Sequence, residues 1–353
     1  TRLMEKNDCD FVLANDLQEI GADFHKGYLI HKDGSCDTME TNEEIADRII
    51  QWKKENEGNE KEGFFSDSFL CSAGTTLADW YVLGLSRSGA EEDYASYRFA
   101  LARAVEERYK TSGRLDLSKA TEWHRIILSM LASGGDPEKA GIRGQIDLVA
   151  DGIYNRADNE GNGILGKQGI NGYIWGLIAL DSCFYAVPEE AFYTREELLL
   201  NILNRQNADG GWSLGGGASD PDLTAMALQA LARYRSRADV SAAVEAGLSC
   251  LSQMQEENGA FSSWGTESSE SVSQVLTALT ELGLSLDDAR FVKNGQTLED
   301  VLLRFAQDDG SFAHTPEDGG NLLATTQAFY ALTALQRARD GKPTLYDMSD
   351  VTP

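Results

Sequence analysis

The feature that most constrains the fold of this chain is a short motif that occurs three times, at a spacing of about fifty residues. Each copy begins with Gln, turns at Asp-Gly or Asn-Gly, and ends on an aromatic residue. The copies occupy residues 206–212, 255–261 and 307–312. A helical pattern ends at each copy, and another begins shortly after it. A repeat of this length predicts a two-helix unit, which cannot bury its apolar faces alone and therefore stacks on copies of itself.

The helical pattern extends over most of the chain and predicts two layers of helices. Six segments have the pattern of an inner helix: residues 75–86, 118–133, 168–182, 222–235, 269–283 and 321–337. Six further segments precede or separate them as outer helices: residues 43–56, 91–109, 141–153, 194–205, 239–254 and 296–306. The equal counts predict an all-α fold, an α6/α6 toroid (an α/α barrel) of two-helix repeats over residues 41–340. Residues 1–40 are predicted to be an N-terminal extension, and residues 341–353 a linker.

Polar and aromatic side chains recur on one face of the predicted inner helices. When these helices are aligned on a shared leucine, the positions nine, five and two residues before it lie on one helical face. The candidate ligand-binding residues at these positions are Thr76, Trp80, Glu122, Asn171, Trp175, Asp222, Glu270, Gln274, Gln327 and Tyr330. Because an unpaired buried polar group costs about 1–3 kcal/mol, this stripe predicts a wet or ligand-filled central cavity. The alternative is that Trp80, Trp175, Met226 and Tyr330 fill the interior as a core.

The charge of the chain restricts its partners. Lys and Arg number 31 against 57 Asp and Glu, which gives a formal charge of −26. Such a surface repels nucleic acid and anionic lipid, and it suits neutral or cationic ligands. No apolar run reaches the roughly 18 residues that a membrane span needs, so no transmembrane segment is predicted. None of the four histidines stands near a cysteine at a ligand-like spacing, so no metal is expected. A disulfide between Cys9 and Cys36 is left open.

Residues 206–212, together with Asp220-Pro221-Asp222-Leu223-Thr224-Ala225, resemble the repeat of terpenoid (squalene) cyclases and of protein prenyltransferase β-subunits. The segments 119–123, 168–172 and 291–295 resemble a bacterial subgroup of secreted or surface-anchored proteins with these repeats. The resemblance implies an extracellular or cell-surface location, a signal peptide outside this chain, and a longer multidomain parent. Its ligand would be an unknown small molecule or surface partner. No cofactor is predicted, and a corrinoid or isoprenoid ligand is implied by the resemblance only.

The leading hypothesis is therefore a non-catalytic toroid domain that binds a ligand or partner. The first alternative is a divergent class II terpenoid cyclase with Asp222 as its acid. The resemblance implies that role for the middle carboxyl of an Asp-x-Asp-Asp-Thr-Ala motif, but Leu223 replaces the third Asp here. The pair Asp220-Pro221 also fits a helix N-cap followed by proline in the first turn. The second alternative is a glycan-active toroid enzyme, which needs two carboxylates roughly 5–10 Å apart, drawn from Glu122, Asp222 and Glu270.

Overall fold

The chain divides into two compact units, residues 1–64 and 65–353. The structure, a computed structural model, describes residues 64–351 except Asn159 and Trp264, and it also describes the backbone of three strands nearer the N-terminus. The division falls at residue 64, whereas the sequence pattern predicts a boundary at residue 40. The predicted outer helix at residues 43–56 and the cysteine at position 9 lie outside the described residues.

The N-terminal unit contains a small antiparallel sheet, although the sequence predicts only an extension there. Its strands are β1 (Phe11–Ile20), β2 (His25–His31) and β3 (Cys36–Met39), in the order β1-β2-β3. In the register of this sheet, Leu29 of β2 lies opposite Leu13 of β1 and Asp37 of β3. The described part of the chain is nevertheless mostly helical, so the all-α prediction is confirmed and this sheet is an addition to it.

The second unit is built from two layers of helices. After the short helix α1 (Asp67–Leu70), the inner layer comprises α2 (Thr76–Ser88), α4 (Thr121–Ala132), α5 (Asn171–Ser182), α7 (Pro221–Leu231), α9 (Ser269–Glu281) and α11 (Leu322–Arg339). The outer layer comprises α3 (Tyr94–Ser112), α6 (Arg195–Leu203), α8 (Ala238–Met254) and α10 (Leu298–Leu303). A two-stranded hairpin, β4 (Ser262–Ser263) and β5 (Thr266–Glu267), precedes α9.

The inner helices form a closed ring. Each one packs against the next in chain order, and the last, α11, packs against the first, α2. Small residues of the ring face the outer layer: a methyl group on Gly176 of α5 would lie 3.3 Å from Leu198 of α6. The unit is an α/α toroid. Within residues 64–351, apart from the two gaps, no helix is long and apolar enough to cross a membrane.

The outer layer is less regular than the sequence pattern predicts. The predicted helix at residues 141–153 is wrong over its first half: only residues 148–154 are helical, and they end in a π-helical turn, Ala150–Tyr154. Gly141 and Gly144 adopt the left-handed region, with φ of 79° and 62°, and an α-helix cannot continue through such residues. The predicted helix at residues 296–306 is shortened to the six residues of α10.

The repeated Gln-turn-aromatic motif has the structural role that the sequence predicts. The Gln206 amide donates to the carbonyls of Gly210 and Ala243 at 2.7 and 2.8 Å, which ties the turn to the next outer helix. Trp212 is fully buried, and its indole N–H donates to the carbonyl of Ile202 at 2.8 Å. The second copy repeats this arrangement, since Gln255 bonds the carbonyls of Gly259 and Phe291. The motif therefore joins neighbouring repeats rather than contacting a ligand.

The C-terminal residues form a strap across one end of the toroid, which corrects the prediction that residues 341–353 are a linker. We define the strap as residues 343–351. Leu345, Tyr346 and Met348 are buried. The Arg87 guanidinium of α2 donates to the carbonyls of Thr344, Leu345 and Asp347 and to the Asp350 carboxylate, at 2.6–3.0 Å.

Arg337 of α11, the helix that packs against α2 to close the ring, also binds the strap. Its guanidinium donates to the carbonyl of Pro343 at 2.8 Å and to the Asp350 carboxylate at 2.5 Å. Both arginines are buried, so their hydrogen bonds to backbone carbonyls are shielded from water. These long-range contacts make the strap part of the toroid.

Candidate functional site

The candidate site is a cavity of about 310 Å³ at one end of the toroid, here called the mouth cavity. All six inner helices contribute to its wall. Its lining residues are Thr76, Trp80, Lys119, Thr121, Glu122, Arg125, Gln168, Asn171, Trp175, Met226, Gln274, Leu323, Gln327 and Tyr330. Thr76, Lys119 and Leu323 are exposed at the rim, whereas Trp175 and Tyr330 are buried at the floor.

Three aromatic rings form the floor of the mouth cavity. The Trp80 ring of α2 lies 5.0 Å from the Trp175 ring of α5 and 5.8 Å from the Tyr330 ring of α11, centroid to centroid. Since α4 lies between α2 and α5 in the ring, the two indoles meet across the inside of the barrel. Below them, Tyr346 of the strap packs edge-on against Trp175 at 5.9 Å. The aromatic residues thus fill the middle of the barrel and leave a shallow cavity above it.

Side-chain amides form one wall of the mouth cavity. The Gln274 amide nitrogen donates to the Gln327 amide oxygen at 3.0 Å and to the Tyr330 hydroxyl at 2.5 Å. On the opposite side, the Gln168 amide bonds the Thr121 hydroxyl at 2.9 Å. The Oδ1 atom of Asn171 is buried without a hydrogen-bond partner among the described residues. This wall presents both donors and acceptors to a neutral polar ligand.

The buried charged groups of the mouth cavity are ion-paired, whereas Lys119 is exposed at the rim. The Arg125 guanidinium donates to Asp79 at 2.9 Å and to Glu122 at 2.5 Å, and Arg108 donates to Glu122 at 2.8 Å. Burial by itself would raise the pKa of Glu122, but the hydrogen bonds and charges of Arg125 and Arg108 outweigh it and lower that pKa. Glu122 is therefore an ion-paired carboxylate and not a proton donor at neutral pH.

Two of the ten predicted ligand-binding residues, Asp222 and Glu270, do not line the mouth cavity. Glu270 of α9 turns toward the loop before α11, where its carboxylate lies 2.8 Å from Nδ1 of His314. The other eight predicted residues are brought together at the cavity: Thr76, Trp80, Glu122, Asn171, Trp175, Gln274, Gln327 and Tyr330. Glu122 is the only Asp or Glu side chain among the lining residues, so the mouth cavity does not hold the two carboxylates that the glycan-active alternative needs.

Asp220 and Asp222 have different environments. Asp220 caps α7, because its Oδ1 atom accepts from the backbone N–H groups of Asp222 and Leu223 at 3.0 Å each, and Pro221 follows in the first turn. Asp222 is largely buried, and its Oδ1 atom has no hydrogen-bond partner within the described part of the chain. Burial, reinforced by the charges of Asp220 and Glu270, raises the pKa of Asp222 to about 6.

Sequence reasoning missed several residues of the site. Arg125, Lys119, Gln168 and Thr121 line the mouth cavity but lie off the aligned stripe. The sequence pattern gives no sign that His314 contacts Glu270. Across the described residues, no group of three or more His, Cys, Asp and Glu side chains could hold a metal ion. The absence of a metal stays a prediction.

No protein family model matches this chain, and no curated protein sequence matches it. Among solved structures, it is similar to Candida albicans protein geranylgeranyltransferase-I complexed with GGPP. The TM-score is 0.53 and the sequence identity 14%, over 78% of this chain and 88% of that one. Both are α/α toroids. At this identity the similarity shows the fold alone, and the relation to prenyltransferases is a distant structural one.

Proposed function

We propose that this chain is a non-catalytic binding domain whose mouth cavity holds a small neutral molecule with several hydroxyl or amide groups. The observation that carries the proposal is the pairing of an aromatic floor with a wall of amides and hydroxyls. Trp80 and Trp175 offer apolar surface to a ring, and Gln327 and Asn171 offer hydrogen bonds. Sites for small molecules typically combine apolar surface with a few oriented polar groups in this way.

The electrostatics of the mouth cavity support a neutral ligand. Arg125 is paired with Asp79 and Glu122, so the buried charges of the wall already balance each other. The size of the cavity and its closed floor argue against a long isoprenoid or a corrinoid, both of which are larger than 310 Å³ can enclose. A bacterial extracellular or cell-surface location, and a surface partner, remain part of the proposal.

A screen of neutral probes tests the proposal. We would titrate glucose, N-acetylglucosamine and myo-inositol by calorimetry into the chain and into Gln327→Met. Gln336→Met is the matched control, because Gln336 is exposed on the same helix. At least one probe should bind, and Gln327→Met should weaken it at least tenfold while the control does not. Failure of every probe to bind, or equal binding by both variants, would refute the proposal.

Proton donation by Asp222 is the second candidate function. Its buried, unpartnered oxygen and its raised pKa favour it, and Glu270 supplies a neighbouring carboxylate in place of the residue that Leu223 replaces. Against it, Asp222 does not line the mouth cavity. A cyclised product from squalene that is lost in Asp222→Asn would establish this function in place of the binding domain. The absence of any product would favour the binding domain.

A further inference from the structure

A second cavity, of about 280 Å³, lies at the end of the toroid that the strap crosses, and we call it the far-end cavity. It shares no lining residue with the mouth cavity. Its wall consists of Ile178, Asp181 and Ser182 of α5, Gln229, Ala230, Ala232 and Arg233 in and after α7, Glu281 of α9, and Thr344, Tyr346 and Asp347 of the strap. The buried hydrogen bonds of Arg87 and Arg337 fix the strap, so this wall is preformed.

Two buried polar atoms on this wall have no hydrogen-bond partner among the described residues. They are Oε1 of Gln229 and the hydroxyl of Tyr346, and each residue is 4% exposed. The orientation of Gln229 is set by its amide nitrogen, which donates to the backbone carbonyl and the Oε1 atom of Gln274 at 3.0 and 3.1 Å. Its oxygen is therefore left as an acceptor. A buried polar group without a hydrogen bond destabilises a fold by about 1–3 kcal/mol. A ligand that donates hydrogen bonds to these two oxygen atoms would remove that cost.

The charge of the far-end cavity is negative. Its wall carries the carboxyl groups of Asp181, Glu281 and Asp347 against one guanidinium, that of Arg233. Asp347 is paired with Arg233 at 3.1 Å at the partly exposed edge of the cavity. Asp181 is paired with Arg195 at 2.8 Å. Only the carboxyl of Glu281 remains without a direct ion pair in the part of the chain that the structure describes.

Glu281 is the group that most needs a cation. Its carboxyl is enclosed, and it accepts a hydrogen bond from the backbone N–H of Tyr346 at 3.3 Å. Burial raises its pKa to about 7 and outweighs the hydrogen bonds from Thr344, Tyr346 and Leu345 and the charge of Arg87, all of which lower that pKa. A carboxylate in such a place is stabilised by a positive charge that enters the cavity beside it.

We propose that the far-end cavity is a second binding site, and that it takes a small aliphatic amine. The ammonium group of the ligand pairs with Glu281, and its N–H groups donate to Oε1 of Gln229 and to the hydroxyl of Tyr346. Because Tyr346 belongs to the strap, the C-terminal residues supply part of the site. The proposal is independent of the ligand of the mouth cavity.

The test uses the whole chain and two amines, 1,4-diaminobutane and ethanolamine, in calorimetric titrations. The control ligand is 1,4-butanediol, which has the length of the diamine and no charge. At least one amine should bind saturably and at least tenfold more tightly than the diol. Tyr346→Phe, which removes one oxygen atom, and Glu281→Gln should each weaken amine binding at least fivefold.

Gln336→Met, at an exposed position of α11, is the protein control and should leave amine binding unchanged. Circular dichroism melting shows which variants are folded, and Tyr346→Phe keeps the test decisive if Glu281→Gln unfolds. The proposal is overturned if neither amine binds, if the diol binds as tightly, or if amine binding survives in the folded variants.

Discussion

Trp80 and Trp175 meet inside the barrel with their ring centroids 5.0 Å apart, although their helices are not neighbours in the ring. This contact closes the floor of the mouth cavity and separates it from the far-end cavity. A toroid of this kind has no open channel along its axis. Each end must therefore be considered as a separate site, and the predictions below follow from that arrangement.

Removal of an indole from the floor should cost stability. We expect Trp175→Ala to lower the free energy of unfolding by about 3–5 kcal/mol, because it leaves a cavity among Trp80, Tyr346 and the inner helices. Trp175→Phe should cost less, since part of the contact remains. Urea denaturation measures both. A loss below about 1 kcal/mol for the alanine variant would mean that the floor is not packed as described.

The strap should contribute to the stability of the toroid, whereas a linker would not. Leu345 is fully buried, so Leu345→Ala should cost about 2–5 kcal/mol. Ser349→Ala is the comparison, because Ser349 lies in the same strap and is exposed. Thermal melting followed by circular dichroism distinguishes the two variants. Equal melting temperatures for both would restore the prediction of a linker.

The buried ion pair of Arg125 should be costly to break from one side. Arg125→Met leaves Asp79 fully buried without its partner, and we expect a loss of about 3–5 kcal/mol in the free energy of unfolding. Arg98→Met is a useful comparison, since Arg98 is a partly buried arginine on the outer helix α3 that donates to the backbone carbonyl of Ser133 rather than to a buried carboxylate. Chemical denaturation of both variants checks the prediction. A small loss in the free energy of unfolding that is similar in the two variants would argue against the buried ion pair.

The stability of the fold should depend on pH through Asp222. Its folded pKa is raised to about 6 from the usual 3.8, so the folded state binds the proton more tightly than the unfolded state. The protein should therefore lose stability as pH rises from about 4 to 6, by at most about 3 kcal/mol from this group. Asp222→Asn removes that loss. Urea denaturation at pH 4 and pH 8 measures the free energy of unfolding of both proteins. Relative to the parent, the variant should be more stable at pH 8 than at pH 4. The same difference in stability at both pH values would contradict the raised pKa.

Much of the toroid is predictable because its signals are local. The Gln-turn-aromatic repeat gives the spacing of the units, and the inner-helix stripe gives ten residues of the mouth cavity, which are eight of the candidate ligand-binding residues together with Met226 and Leu323. The same stripe also includes Ile178 and Gln229, which line the far-end cavity. A helix presents the same face along its whole length, so one periodic pattern reaches both ends of the barrel.

The rest depends on contacts between residues far apart in the chain. The strap has the Pro, Asp and Ser composition of a linker, and its packing depends on distant residues such as Arg87, more than 250 positions earlier. Glu270 has the position of a cavity residue, but His314 draws its side chain aside. Likewise, Gly141 and Gly144 end a helical pattern that looks continuous in sequence.

The location of the ligand is the most direct test of the proposed function. We would label the chain with 5-fluorotryptophan, assign the resonances with single Trp→Phe variants, and record fluorine NMR spectra while adding the neutral probe that binds most tightly. The resonances of Trp80 and Trp175 should shift, because they form the floor of the mouth cavity, while those of the fully buried Trp123 and Trp212 should not. Shifts confined to Trp123 and Trp212, or no shifts at saturating probe, would contradict binding in the mouth cavity.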